Sequence, residues 1–455
     1  MEQILEKKDR NVFFFIHLAG WLLLGCIVGL WASRFAGASA GTYDPTAISS
    51  GDTAWMLASS ALVMIMTPAV GFFYGGMVSA KNVVSVIKQS MIILALVSIQ
   101  WVVVGYSLSF GPDMKGVIGD LSHFGLRGVG FAPDPTYAST IPALVFMIFQ
   151  AMFAVITPAL IIGAFVQRIK FSTLVVFTLL WATLVYDPIA HWVWSPNGWL
   201  HALGALDFAG GTVVHMSAGF SALAAALLVG KRIDTKHVGG TANNIPFVIL
   251  GAALLWFGWF GFNAGSALTA GPLAASAFVV TNIAAAASAL TWVALSWAET
   301  KKPSAMAAAI GAVCGLVAIT PASGFVGPVA SIAIGILGGG ITYLAVYIRG
   351  RAIKIDDTLD VWAGHGIGGL AGAVLTGVFA EKAINAGGAN GFLFGNPHQL
   401  VVQIVAVAAV GVYSFGATWL ILKALTWVRL PLRVSASAET EGLDTAVHGE
   451  PAYRF

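Results

Sequence analysis

The feature that most constrains this chain is a train of apolar runs, repeated from end to end, each long enough to cross a bilayer. One helical crossing needs about 20 predominantly apolar residues. Runs of that kind occupy 53–79, 84–111, 140–166, 171–194, 211–230, 246–263, 274–298, 304–320, 325–348, 361–380 and 398–425. Bilayer hydrocarbon cannot hydrogen-bond an open backbone, so these runs read as helices. Only 9% of residues are charged and 58% are apolar. A soluble domain has about 25% and about 45–50%, so this chain cannot cover a soluble surface. The fold class expected is an all-α polytopic membrane protein with eleven transmembrane helices. Many of the 53 glycines lie inside the runs, where small residues let helices approach closely. A net charge of +3 gives no reason to expect nucleic acid.

Lysine and arginine set the expected orientation. If the residues after the first apolar run are outside, sixteen of these side chains fall on inner segments and four on outer ones. That bias places the C-terminus in the cytoplasm. A further apolar run at 12–32 follows Lys7, Lys8 and Arg10 and precedes Ala38-Ser39-Ala40. A basic start, an apolar stretch and a small-residue site describe a signal peptide, with an uncleaved anchor helix as the alternative. The domain reading is therefore a signal peptide over 1–40, a membrane domain over 41–428 and a cytoplasmic tail over 429–455.

One pattern occurs twice. Asp207 precedes His215 by eight residues in DFAGGTVVH, and Asp357 precedes His365 by eight in DTLDVWAGH. On the expected orientation the two spans run in opposite directions. Eight helical residues rise about 12 Å, which would carry both histidines toward the midplane. A matched pair with opposed direction predicts an inverted repeat of five spans plus five, with an eleventh added. Repeats of this kind hold a transport site between their halves.

An ionisable residue within a membrane span is a functional candidate. Of nine histidines, His17, His123, His191, His201, His237, His398 and His448 read as surface or interfacial, because they fall at span ends, in loops or in the first run. His215 and His365 do not. Facing imidazoles can share one proton and present both a donor and an acceptor to a small polar solute. A metal would need a third ligand, and none stands nearby, so neither metal nor cofactor is expected. Cys26 and Cys314 lie in apolar runs and read as buried thiols. Phe149, Phe153, Trp194, Trp259, Phe262 and Ser266 fall near outer span ends. Each alone reads as an interfacial anchor. Together, aromatic rings and a hydroxyl suit a small cation. Asp356, Asp357 and Asp360 lie at the expected inner mouth, where capping of a helix N-terminus explains all three.

The segments FYGGMVSAKNV, FQAMFAVITPALIIGAF, LDFAGGTVVH, WFGWFGFNAGSAL, DDTLDVWAGHGIGG and GLDTAVHGEPAY closely resemble signature segments of the ammonium transporter family (Amt/Mep/Rh), from about Asp52 to the C-terminus. The aromatic outer trio and the tail resemble the bacterial Amt branch. The resemblance implies a trimer with one pore per subunit. It implies that Phe153, Trp194 and Ser266 bind ammonium or methylammonium, that Phe153 and Phe262 form a stacked gate, and that His215, His365 and Trp259 line the pore. Asp207 would be the buried carboxylate needed for recognition, orienting polar groups beneath the site, with Asp357 as its counterpart in the repeat. The resemblance further implies that the tail packs on inner loops, couples subunits and receives a cytoplasmic PII-type signalling protein. Lys231, Arg232, Lys236, Arg349 and Arg351 would offer counter-charges to Glu439, Glu441, Asp444 and Glu450. The expected function is ammonium transport in the inner membrane, with deprotonation and passage along the histidines. The alternative is an ammonium sensor signalling through its tail. No nucleophile–base arrangement suggests an enzyme.

Overall fold

The computed structural model describes Gly25 and residues 43–233 and 242–453. The predicted signal peptide at 1–40, with Cys26, and the loop histidine His237 lie outside the described residues, apart from Gly25. Helix occupies every one of the eleven predicted ranges. We number these helices α1 (Ser50–Met77), α2 (Val83–Phe110), α3 (Ala143–Ala164), α4 (Phe171–Leu203), α5 (Gly211–Val229), α6 (Ile245–Ala264), α7 (Pro272–Thr300), α8 (Ala305–Ile319), α9 (Pro328–Arg351), α10 (362–379) and α11 (Pro397–Trp427). Nine of them, all but α8 and α10, are long and apolar enough to cross a membrane among the described residues. α8 is a shorter apolar helix of 15 residues. Two short hairpins, Asp113–Met114 with Ile118–Gly119 and Pro133–Asp134 with Ala138–Pro142, fill the link between α2 and α3.

α3 is the buried axis of the molecule, with 94% of its apolar window inside the protein. α1, α2, α4 and α5 pack against it, while α7, α9 and α11 present broad apolar faces outward, including Leu290, Leu344 and Val412. Such faces suit hydrocarbon. α5 and α10 cross at Gly219, where an added Cβ would stand 2.1 Å from the Gly366 nitrogen. Only a glycine permits that approach, and it brings His215 and His365 together.

Five π-helical turns interrupt the described helices: Trp101–Gly105, Ala182–Tyr186, Gly211–Met216, Phe260–Ala264 and Trp362–Ile367. Such turns are rare and concentrate at functional sites. Three of them carry His215, Phe262 and His365.

The tail is ordered through Tyr453 and stitched across one end of the helix bundle, the end that the lysine and arginine distribution predicts to be inner. Lys170 N–H donates to Leu432 O at 2.9 Å, and Val434 N–H to Arg168 O at 3.0 Å. Arg168 is fully buried, and its guanidinium donates to the carbonyls of Gly230, Ala164 and Asp356, tying α3, α5 and the α9–α10 link together. Burial holds this guanidinium down at about 10. Lys236 lies outside the described residues; among the described ones, the expected pairing of tail acids with Lys231, Arg232, Arg349 and Arg351 is not what holds the tail. Asp444 instead caps α2, accepting from Val84 N–H at 3.1 Å and Ser85 N–H at 2.7 Å. Glu439 pairs with Arg433 of the tail itself and accepts from Ile233 N–H. Arg351 turns to Glu299. Arg232 and Arg349 turn to the aspartates of the α9–α10 link. Free N–H groups at a helix start attract a carboxylate more specifically than mobile surface lysines do.

A lost cap costs about 1 kcal/mol. Asp444→Ala should therefore release residues 435–453 to limited proteolysis while the helical bundle stays intact. Unchanged protection of the tail would show that Asp444 is not its anchor.

Candidate functional site

Asp207 and Asp357 begin the site, and both do so in the same way. The Asp207 carboxylate accepts from the N–H groups of Gly210, Gly211 and Thr212 at 2.6–2.8 Å, and from the Thr212 hydroxyl. Asp357 accepts from Trp362 N–H at 2.7 Å. In each case the carboxylate reaches an N–H five residues on. A residue with positive φ stands three residues on, Gly210 at +108° and Asp360 at +57°. The histidine follows at eight. The spacing shared by the two sequences is thus a shared cap. It also corrects the expected rise. Residues 208–210 and 358–360 are turn, not helix, so each histidine sits in the first π-helical turn and less deep below its aspartate than eight helical residues would place it. Gly210 has no room for a side chain: an added Cβ would meet Val214 at 2.8 Å and the Trp194 ring at 3.2 Å.

Of the three acids between α9 and α10, only Asp357 fills the expected capping role. Arg232 donates to Asp356 from its backbone and its guanidinium at 2.8–2.9 Å. Burial pushes the Asp356 carboxyl up, but the hydrogen bonds and charge of Arg232 and the charge of Arg168 outweigh it and hold the group below its ordinary value. Asp360 pairs with Arg349. Burial still carries its carboxyl up to about 7.

Above the Asp207 cap, at the end predicted to be outer, lies a cavity of about 220 Å³, the outer cavity, lined by Phe153, Trp194, Ser266, Gln150 and Tyr137 among others. The predicted outer trio is therefore brought together. Trp194 stands edge-on to Phe153 at 5.6 Å, and its indole N–H donates to Asp207 O at 3.0 Å. The Asp207 carboxylate thus fixes the helix start, and its backbone carbonyl holds the tryptophan. The Ser266 hydroxyl donates to Phe262 O at 2.9 Å, leaving its lone pairs toward the cavity. Beneath the trio, Phe153 and Phe262 pack with centroids 4.3 Å apart and close the floor. The rings continue inward: His215 stacks on Phe262 at 5.8 Å and on Trp259 at 5.2 Å. Trp259 is held by an indole hydrogen bond to the Thr320 hydroxyl at 2.9 Å.

His215 and His365 face each other with Nδ1 atoms 3.3 Å apart, both buried. Two ring nitrogens at that distance share one hydrogen. One ring donates and the other accepts, so their outer nitrogens carry opposite roles. His215 Nε2 is buried without a protein partner. The rings line a constriction whose other walls are aromatic and aliphatic, including Tyr74, Trp259, Val70, Ile156, Leu255 and Val313. His365 also lines an inner cavity of about 240 Å³ with Tyr74, Arg232 and Asp360. The line outer cavity, phenyl pair, histidine pair, inner cavity runs through one subunit. No cluster of three or more metal-ligating side chains occurs among the described residues.

Several residues escaped the sequence reading. Gln150 turns an unpaired Oε1 toward this region and lines the outer cavity. Its place in FQAMF was visible, but its direction was not. His191, read as interfacial, is fully buried and bonded on both nitrogens, to Asp113 and to Ser109 O. Asp187 is a fully buried acid inside a predicted span, and an ionisable residue there was signal enough to single it out.

Comparison with known proteins follows the same line. The profile of the Ammonium Transporter Family matches residues 54–453. The ammonium transporter of Bacillus subtilis (strain 168) is 48% identical over 404 residues, 89% of this chain and 98% of that protein. Ammonium transporter Amt1 of Archaeoglobus fulgidus is 47% identical over 406 residues, 89% of this chain and all of that protein. The crystal structure of Saccharomyces cerevisiae Mep2 superposes with a TM-score of 0.80 at 36% identity, over 86% of this chain and 89% of that one. A structure described as a Sensor Amt Protein gives a TM-score of 0.78 at 32% identity, over 87% and 98%.

Asp207→Ala would strand several buried N–H groups, at about 1–3 kcal/mol each, and loosen the start of the helix that carries His215. Methylammonium flux into vesicles should fall by at least about tenfold. Asp207→Asn keeps an acceptor oxygen and should retain more flux than the alanine variant. Equal flux in wild type and Asp207→Ala would remove Asp207 from the site.

Proposed function

The chain belongs to the Ammonium Transporter Family, and on that premise we propose that it carries ammonium as ammonia and a proton that cross the same subunit separately. Its named relatives are transporters rather than enzymes, and its long apolar helices fit a multi-pass membrane protein. The observation that carries the mechanism is the buried histidine pair, Nδ1 to Nδ1 at 3.3 Å, set between two cavities and beneath a floor of phenyl rings.

The cation is recruited in the outer cavity. The Phe153 and Trp194 faces offer cation–π attraction of about 2 kcal/mol when desolvated. Ser266 accepts an ammonium N–H. Further in, the walls are rings and aliphatic side chains, and a bare ion faces an idealised cost of order 20 kcal/mol. Deprotonation to water in the outer cavity, with the proton carried on by a path of its own, removes that cost. Ammonia then passes the histidines as a neutral donor and acceptor, and methylammonium follows if the floor admits its methyl group. Asp207 takes no proton in this scheme. It fixes Trp194 and the start of the His215 helix.

The wider reading extends the same proposal. Eleven spans arranged as five, five inverted and one, with the C-terminus in the cytoplasm of the inner membrane, agree with the lysine and arginine distribution. The subunits form a homotrimer. The tail, docked on α2 through Asp444, is the surface a PII-type protein reads. The second reading, a sensor, is favoured by the likeness to the Sensor Amt Protein and by the ordered tail.

Growth on limiting ammonium of a strain lacking its own ammonium transporters separates the two readings. A transporter restores growth, whereas a pure sensor does not. Within the transporter reading, Trp194→Leu and Ser266→Ala should each raise the half-saturation concentration for methylammonium by about tenfold or more. His215→Ala or His365→Ala should abolish transport or convert it into a leak that no longer discriminates among cations. Wild-type transport and selectivity in both histidine variants would refute the pair as pore residues.

A further inference from the structure

α4 carries an acid that the ammonium route does not use. Asp187 is fully buried, two helical turns before Trp194. Its carboxyl accepts from Gln100 Nε2 at 2.8 Å and lies 3.5 Å from the Ser109 hydroxyl. Both partners are neutral and both stand on α2. Gln100 directly precedes one π-helical turn, Trp101–Gly105, and Asp187 directly follows another, Ala182–Tyr186. The two distorted turns thus meet at this acid, away from the histidine pair.

The titratable groups on the surrounding elements are Tyr186, His191 and His201 on α4, Tyr106 on α2, Asp113 in the first hairpin, His215 on α5, and His398, which is exposed, and Tyr413 on α11. None of them bonds the Asp187 carboxyl among the described residues; His191 is held by Asp113 and Ser109 O, and Tyr413 by Leu184 O. The lysines on these elements are committed elsewhere: Lys88 over the Phe171 ring, Lys423 over the Trp419 ring, and Lys115 exposed. A buried carboxylate without a cation is unfavourable. Beside it, Gln100 Oε1 is buried with no donor. A buried acid that lacks a cation and has only neutral partners points to a proton on the carboxyl, and the Gln100 amide, turned over, would bring its donorless Oε1 to accept from it. A metal ion in the same place would face the Gln100 N–H group head-on.

A polar line joins this acid to the outer loop. Ser109 meets Asp187 through its hydroxyl and His191 Nδ1 through its carbonyl at 3.0 Å. His191 Nε2 meets Asp113 Oδ1 at 2.9 Å, and the Asp113 side chain is 23% exposed. A backbone carbonyl cannot relay a proton, so exchange along this line is slow and the group carries no transport current.

We propose that Asp187 is a proton-binding site, separate from the ammonium route, which exchanges with the medium on the Trp194 side and sets the state of the outer site. One proton from water adds to one carboxylate oxygen to give the neutral acid. Its loss leaves an unpaired charge between α2 and α4, which loosens their contact and the segment that ends in Trp194. The proton site stands whether or not ammonia takes the histidine route, although its effect on affinity rests on the outer site being the ammonium site.

Infrared spectroscopy of the full-length protein in lipid tests this, because a protonated carboxylic acid has its own C=O band. The wild type should show such a band at neutral pH that is missing in Asp187→Asn and bleaches as the medium is made alkaline. Over the same pH range the wild-type KM for methylammonium should rise severalfold, while that of Asp187→Asn stays flat and its neutral-pH uptake is retained. If Asp187→Asn does not reach the membrane, Gln100→Leu serves: removing a donor to the ionised form should move the bleaching to higher pH. No band lost in Asp187→Asn, a band that never bleaches, or an unmoved midpoint in Gln100→Leu would each overturn the proposal. A band that behaves as expected with a flat wild-type KM would overturn the link to the outer site alone.

Discussion

A small cation is too costly to carry bare through an apolar bore, and the rest of this structure is organised round that constraint. The idealised cost is of order 20 kcal/mol, against about 2 kcal/mol for a good cation–π contact. Rings can collect the ion and hold it, but they cannot take it across. What lies below Phe153 and Phe262 is correspondingly free of lysine, arginine and carboxylate until Asp360 and Arg232 appear in the inner cavity. The Tyr74 hydroxyl and the Trp259 indole N–H there are committed to Leu160 O and Thr320, which leaves two imidazoles to offer hydrogen bonds without a fixed charge.

Holding two imidazoles there requires backbone devices as much as side chains. Gly219 lets α5 and α10 touch, which sets the separation of the rings. Asp207 and Asp357 anchor the starts of those helices with buried carboxylates. A helix N-terminus presents unpaired N–H groups and partial positive charge, so an acid is stabilised there without a lysine or arginine. The π-helical turns then swing His215, Phe262 and His365 inward.

Much of this was legible in the chain before any coordinates. The apolar runs located the helices, because hydrocarbon admits little else. The repeated Asp-x7-His spacing marked the histidine pair, and the aromatic residues with Ser266 marked the outer cavity through their resemblance to a family. What escaped notice has physical reasons. A π-helical turn has no signature in hydrophobic period when every position is apolar. The rise from Asp207 to His215 was overestimated because the aspartate is a cap, and a cap followed by a turn looks in sequence like the first residue of a helix. The tail acids were matched to basic loops by charge alone, whereas Asp444 found backbone N–H groups that no residue letter reveals. His191 turns inward, and its place near a span end does not reveal that, because a histidine there can face either way.

The claim on which the account turns is that the cation does not cross whole. Potassium tests it most directly, since it resembles ammonium in charge and size but has no proton to give up. In liposomes holding the wild-type protein, an inward ammonium gradient should produce a current and an equal potassium gradient should produce none. A potassium current comparable to the ammonium current would mean that intact cations pass the histidine pair, and would contradict the account.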